Sequence, residues 1–202
     1  MTKIRVLSLS IVWLASVVSG FLLLGSYQGR PGPSGAPPAR WPEGTPLRLD
    51  PALPTLLIFL HPLCPCSNAS VDELAEVAES YRGRLAVQAI LYRPDAGAEA
   101  WGSGGTIVEE SAPGLLRWWD DGGRLGRRFG VETSGHVLFF DPGGSLRFSG
   151  GITPSRGHRG PNPGLEALAS RVLGSASEPG RSPVFGCPIL DPGTTLDPEA
   201  SR

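Results

Sequence analysis

The chain has little charge and little cysteine. Charged residues make up 18% of its 202 residues, and the formal net charge is −1. Such a balance gives no electrostatic case for a nucleic-acid partner or an anionic surface. The sequence has no phosphate-cradling glycine loop, no dinucleotide fingerprint and no Ser-His-Asp arrangement, so nucleotide chemistry and triad hydrolysis have no motif to stand on. Its three cysteines, Cys64, Cys66 and Cys187, are an odd number and cannot all pair within one chain. One stays free, the three exchange partners, or a metal or another protein takes the remainder.

Apolar residues are plentiful at 40%, enough for a packed core, and the length suits one domain with appendages. Gly (28) and Pro (21) are abundant and clustered, which places much of them in linkers. Val6 to Gly25 carries no charge, and about 20 apolar residues in a helix cross a bilayer core of roughly 30 Å. Lys3 and Arg5 precede it, which keeps the N-terminus cytoplasmic and sends the rest out to the periplasmic or extracytoplasmic side. A cleaved signal peptide is the alternative, but its apolar region is usually shorter, about 7–15 residues. We therefore read residues 1–25 as a transmembrane anchor. No lipid-accepting cysteine follows it. Export puts the cysteines where disulfides persist.

Residues 26–46, rich in Pro and Gly, read as an extended, unpacked tether. The folded domain runs over 47–174. Leu56 to Leu60 is a short apolar run between proline-containing flanks, a strand buried on both faces. Val71, Leu74, Ala75, Ala78 and Tyr81 then recur at helical spacing, with Asp72, Glu73, Glu76 and Glu79 opposite. The helix has two candidate starts: Pro65 with Cys64 as cap, or a Ser70–Glu73 capping box that leaves the cysteines in a loop. Leu85 to Tyr92 is a second buried strand and completes a βαβ unit. A weaker helical stretch spans about 106–119, where Trp118 and Trp119 supply packing. A short helix covers 124–129 and stops at Gly130. His136 to Phe140 and Ser145 to Ser149 form a hairpin around Asp141-Pro142-Gly143-Gly144. A last helix lies over 162–173. Residues 175–202 read as an extended tail that carries Cys187 in the compact string Val184-Phe185-Gly186-Cys187-Pro188.

Cys64-Pro65-Cys66 sits where a strand hands over to a helix. A thiol there faces unpaired N–H groups and the positive helix end, and both favour the reactive thiolate. A disulfide between cysteines two positions apart closes almost no loop and is strained, so it makes a poor staple and a good redox switch. Cys187 has two readings: a structural partner, whose disulfide to position 64 or 66 would stabilise by about 4–5 kcal/mol, or a third redox participant. His61, His136 and His158 are each able to complete a Cu or Zn site with the thiolates, and each is otherwise an ordinary hydrogen-bonded residue. Arg156 reads as a thiolate stabiliser or a solvated charge. Asn68-Ala69-Ser70 fits a glycosylation acceptor but falls inside the predicted helix.

The element order, with His61-Pro62-Leu63-Cys64-Pro65-Cys66-Ser67, the string Ser149 to His158, and Val184 to Pro188, resembles the thioredoxin-like superfamily. More narrowly it is similar to membrane-anchored RedB-like proteins, over roughly residues 47–190. The resemblance implies an α/β, three-layer thioredoxin-like fold with a central mixed sheet flanked by helices. It further implies an outward-facing thiol–disulfide oxidoreductase that meets a protein thiol or disulfide partner. In that reading Cys64 attacks, Cys66 or Cys187 resolves, and no cofactor is needed. The chain departs from thioredoxins in two respects. One residue, not two, separates the cysteines, so Cys64 matches the nucleophile only across a deletion. Gly135 also stands where thioredoxins place a cis-proline, which in the family positions substrates and discourages metal. The departures leave two alternatives. One is a Sco-type copper chaperone using Cys64, Cys66 and His158, the histidine being favoured through the resemblance. The other is a non-catalytic interaction domain with structural cysteines.

Overall fold

A computed structural model of the chain describes residues 2–95, 108 and 115–190. The chain divides into two compact units, Met1–Arg30 and Pro31–Arg202. The first is helix α1 (Thr2–Gln28). Among the described residues it is the one helix long and apolar enough to cross a membrane, over Lys3–Gln28. Its serines suit an apolar medium. The hydroxyls of Ser8, Ser16 and Ser26 donate to the carbonyls of Ile4, Val12 and Leu23 within the helix, which satisfies these three without a partner from outside it.

The second unit contains β1 (Thr55–Leu60), α2 (Ser67–Ser80), β2 (Ala86–Arg93), β3 (Leu116–Asp121), α3 (Arg124–Arg128), β4 (His136–Phe140), β5 (Leu146–Gly150), α4 (Pro163–Val172) and β6 (Gly180–Arg181). The strands form one mixed sheet in the order β3-β2-β1-β4-β5-β6. β1 pairs parallel with β2 and antiparallel with β4, so it is the central strand. Its pleat feeds two cores. Leu56, Ile58 and Leu60 pack with Val71, Leu74 and Val77 of α2 and Leu168 of α4. Leu57 and Phe59 pack on the other face with Leu125 of α3, Phe129, Val131 and Phe140. Each fully buried side chain of this kind contributes about 1.5–3 kcal/mol, and all six residues of β1 are buried. The central strand is thereby fixed, and the loop leaving it at His61 is held from below.

Three elements differ from the sequence reading. Of the stretch 106–115, only Val108 and Leu115 are described, and from Leu116 the chain is strand β3, not helix. Trp118 packs toward one core and Trp119 toward the other, the two-residue alternation of a pleated strand. The Trp118 indole N–H donates to Gln88 Oε1 on β2 at 2.8 Å. The tether expected over 26–46 is instead packed along the domain from Pro31. The amides of Gly32, Ala36 and Trp41 donate to the carbonyls of Val184, Gly130 and Gly144, and Trp41 stacks edge-on to Phe129 and Phe140 at 5.3 and 5.1 Å. Pro and Gly content predicts an unpacked tether, but Trp41 and Leu47 bury enough apolar surface to hold the strap. The tail is not extended either. Up to residue 190 it adds strand β6 beside β5 and buries Val184 and Ile189 completely.

Candidate functional site

The tail brings the third cysteine to the other two. Thr133 and Pro188 form an antiparallel bridge. The Ser134 amide donates to the Cys187 carbonyl at 2.9 Å, and the Ile189 amide donates to the Glu132 carbonyl at 2.8 Å. Gly186 lies so close to this loop that a Cβ there would stand 2.0 Å from the Ser134 carbonyl oxygen. The Arg156 guanidinium donates to the Gly186 carbonyl from the opposite side. Held in this way, Cys187 Sγ lies 2.9 Å from Cys64 Sγ. The sulfurs of Cys64, Cys66 and Cys187 all fall within 4.8 Å of one another, and no disulfide joins them.

The helix start is neither of the two expected. α2 begins at Ser67 with Cys66 at the N-cap and no side-chain capping bond. Pro65 supplies no N–H, and residues 61–67 form two tight turns instead: Cys64 N–H to His61 C=O at 3.0 Å, and Ser67 N–H to Cys64 C=O at 2.9 Å. Two serines clamp them. Ser134 Oγ accepts from the His61 amide at 2.8 Å and pairs with Ser67 Oγ at 2.9 Å, while Ser67 Oγ also donates to the His61 carbonyl. Gly135 fills the slot before β4 with φ +86 and a trans peptide bond. A Cβ at Gly135 would come 2.7 Å from Ser70 Oγ, so a side chain there would have to displace the Ser70 hydroxyl.

Exposure separates the three thiols. Cys64, expected to be open to a partner, is 2% exposed, because the tail carrying Cys187 lies over it. Cys66 and Cys187 are each partly exposed. Burial pushes the Cys64 thiol up, but hydrogen bonding from the Cys187 thiol, from the backbone at Cys187 and Cys66 and from Ser67 outweighs it, and the net shift is downward. Burial raises Cys66, and the neighbouring Cys64 charge raises it further against the pull of Arg156. Cys187 is pushed up to about 12 by burial and by its hydrogen bond to Cys64. Of the three thiols, Cys64 is the one whose surroundings favour the anion, and Cys187 is the one that keeps its proton longest.

None of the three histidines joins the sulfurs. His61 stacks on Tyr92 with ring centroids 5.4 Å apart, and its Nδ1 accepts from the Leu63 amide. His136 is fully buried, with Nε2 2.8 Å from Ser149 Oγ and Nδ1 without a hydrogen-bond partner. His158 is exposed, and its Nδ1 is turned onto the Arg156 carbonyl at 2.8 Å. The ligand set of Cys64, Cys66 and His158 is thus not assembled, and Cys187 stands in the histidine's place. Ser67 and Ser134 escaped the sequence reading because a serine carries no periodic signal. Ser67 closes the string His61 to Ser67, and Ser134 stands directly before Gly135 in the slot where thioredoxins place a cis-proline.

No protein-family model matches the chain, and no curated protein matches it. Solved structures do match. A hypothetical protein from Sinorhizobium meliloti 1021 is 21% identical with a TM-score of 0.58, over 81% of this chain and 96% of that one. An uncharacterized conserved protein from Geobacillus kaustophilus is 20% identical with a TM-score of 0.59, over 82% and 94%. A thioredoxin-like protein solved in its oxidized form is 21% identical with a TM-score of 0.50, over 74% and 97%. At these identities the likeness establishes the architecture. The fold is thioredoxin-like, a mixed sheet between helices, as the element order predicted.

Proposed function

We propose that this chain is a membrane-tethered thiol–disulfide oxidoreductase whose exchange centre pairs Cys64 with Cys187. The observation that carries the reading is the 2.9 Å separation of their sulfurs, imposed by backbone hydrogen bonds of the tail. In the oxidised form the two sulfurs are joined. A partner's thiolate attacks the more exposed one, Cys187, forming a mixed disulfide and expelling Cys64 as a thiolate. The departing Cys64 thiolate is received by hydrogen bonds from the backbone at Cys187 and Cys66 and from Ser67, which do not need a free Cys187 thiol. The partner's second thiolate then attacks its own sulfur in the mixed disulfide and releases Cys187, which takes up a proton. Two electrons pass from the partner dithiol to the protein, and the partner leaves with a disulfide. The Cys64 assignment thus moves from attacking thiol to leaving thiolate, since a buried sulfur is badly placed to attack a protein. Cys66, within the same 4.8 Å radius, is the thiol that can replace Cys187 as the partner of Cys64.

The apolar α1 helix, with Lys3 and Arg5 at its start, supports an anchored chain with the domain on the extracytoplasmic side. The strings around Cys64, Arg156 and Cys187 support kinship with RedB-like proteins. The test is disulfide mapping of the full chain in detergent, equilibrated across a glutathione series. The expected result is a reversible Cys64–Cys187 bond with Cys66 open to alkylation, and oxidation of a reduced dithiol peptide that Cys64→Ser abolishes. A Cys64→Ser chain with full exchange activity, or cysteines that never oxidise, would sink the reading.

A further inference from the structure

The redox reading uses the sulfurs two at a time, but the fold gathers three. Among the described residues they are the one set of three or more Cys, His, Asp or Glu ligand atoms brought together in this way. Three thiolates around a shared ion, each about 2.3 Å from it, lie about 4 Å from one another in a plane. The cluster, with its members within 4.8 Å and its closest pair at 2.9 Å, needs only small side-chain rotations to reach that triangle. The backbone is already set from two directions: the turns at 61–67 fix Cys64 and Cys66, and the bridge to Thr133 fixes Cys187. The surroundings suit an anionic complex. Arg156 is bonded to the Gly186 carbonyl next to Cys187, and the positive end of α2, which has no side-chain cap, starts at Cys66.

We propose that the reduced chain binds one Cu(I) ion through the sulfurs of Cys64, Cys66 and Cys187. All-thiolate ligation selects a soft ion. The coordination number selects among soft ions. A structural zinc site closes with four protein ligands, and among the described residues no fourth ligand joins this group, whereas three sulfurs satisfy Cu(I). Binding displaces the thiol protons to solvent. It also consumes the dithiol of the exchange reaction, so oxidised chain cannot bind and copper-loaded chain cannot exchange disulfides. Copper status would then switch the exchange centre off. The site goes beyond the redox reading and does not depend on it.

The test is an anaerobic titration of the reduced full chain in detergent with Cu(I), against a chromophoric Cu(I) chelator, with X-ray absorption of the loaded protein. The expected result is one ion per chain bound by three sulfurs, with all three cysteines shielded from alkylation. Cys66→Ser and Cys187→Ser should each weaken binding at least tenfold, while His158→Ala leaves it unchanged. The shielding measurement on the unaltered chain needs no variant and so survives a misfolded mutant. Failure to take Cu(I) from the chelator, two-sulfur coordination indifferent to Cys187→Ser, dependence on His158, or tighter four-coordinate binding of Zn(II) would each overturn the proposal. Disulfide mapping of metal-free chain reads the exchange centre separately, so the two ideas fail in different experiments.

Discussion

If Cys64 and Cys187 are the resting disulfide, oxidation should change the stability of the domain by an amount that identifies the pair. The two residues are 123 positions apart. Cross-linking across such a separation removes loop-closure entropy from the unfolded chain worth about 5 kcal/mol at 25 °C. The native state gives little of this back as strain, because the tail is already tied to Glu132 and Ser134 by backbone bonds whether or not the sulfurs are joined. A Cys64–Cys66 bond would contribute only about 1 kcal/mol by the same relation. For a domain of this size, 1 kcal/mol moves the melting temperature by roughly 2–4 °C, so the Cys64–Cys187 bond should raise it by about 10–20 °C. Linkage carries the same energy into the reduction potential, making the bond harder to reduce by about 100 mV than an unassisted one. The assay is thermal unfolding of the full chain in detergent, oxidised and dithiothreitol-reduced, for the unaltered protein and for Cys66→Ser and Cys187→Ser. The large shift should persist in Cys66→Ser and vanish in Cys187→Ser. A shift below about 3 °C, which is what the short loop would give, or one that survives loss of Cys187, refutes the pairing.

His136 is buried and held neutral, its pKa pushed down by burial to about 4. The unfolded chain takes up that proton near pH 6.5, so this group's contribution is intact above the unfolded value and is lost as pH falls from 6.5 toward 4, about 2 kcal/mol between pH 7 and pH 5. Urea unfolding of His136→Gln should show a flatter dependence over that window, and parallel curves would contradict the argument. Asp120 is buried and caps α3, accepting from the Leu125 and Gly126 amides at 2.6 and 2.8 Å, so Asp120→Ala should cost about 1–3 kcal/mol in a denaturant titration. Gly135→Ala meets both a left-handed backbone at φ +86 and the 2.7 Å approach to Ser70 Oγ. Destabilisation of more than about 1 kcal/mol is the expected result, and a neutral substitution would mean that the Ser70 hydroxyl turns aside and the backbone leaves the left-handed region.

The sequence announced the elements whose burial is uniform and hid those whose burial depends on distant partners. Leu56 to Leu60 reads as a two-sided strand because every position is apolar. β3 does not, because Leu116 and Arg117 are exposed and only the alternation of Trp118 and Trp119 betrays a strand. Glu73 was placed on the solvent face by helical periodicity. In the fold it is buried and accepts from the Gly160 amide at 2.7 Å, a partner that no local pattern could supply. The same holds at the site. The handover of β1 to α2 at Cys64-Pro65-Cys66 was legible. That Cys187 meets one of these cysteines was among the readings, but how it is seated was not legible, because that depends on Gly186, a residue with no side chain, fitting against the Ser134 carbonyl.

The chain delivers its three sulfurs in a fixed order. If the domain is exported behind α1, as proposed, Cys64 and Cys66 arrive together and meet the oxidant while Cys187 is still on the cytoplasmic side or unmade. The neighbouring pair is then the first bond available, and the final partner comes only when the last segment docks against the loop before β4. Maturation of this protein would therefore include a disulfide rearrangement timed by the end of translocation, visible in a pulse–chase as one non-reduced band giving way to a faster one.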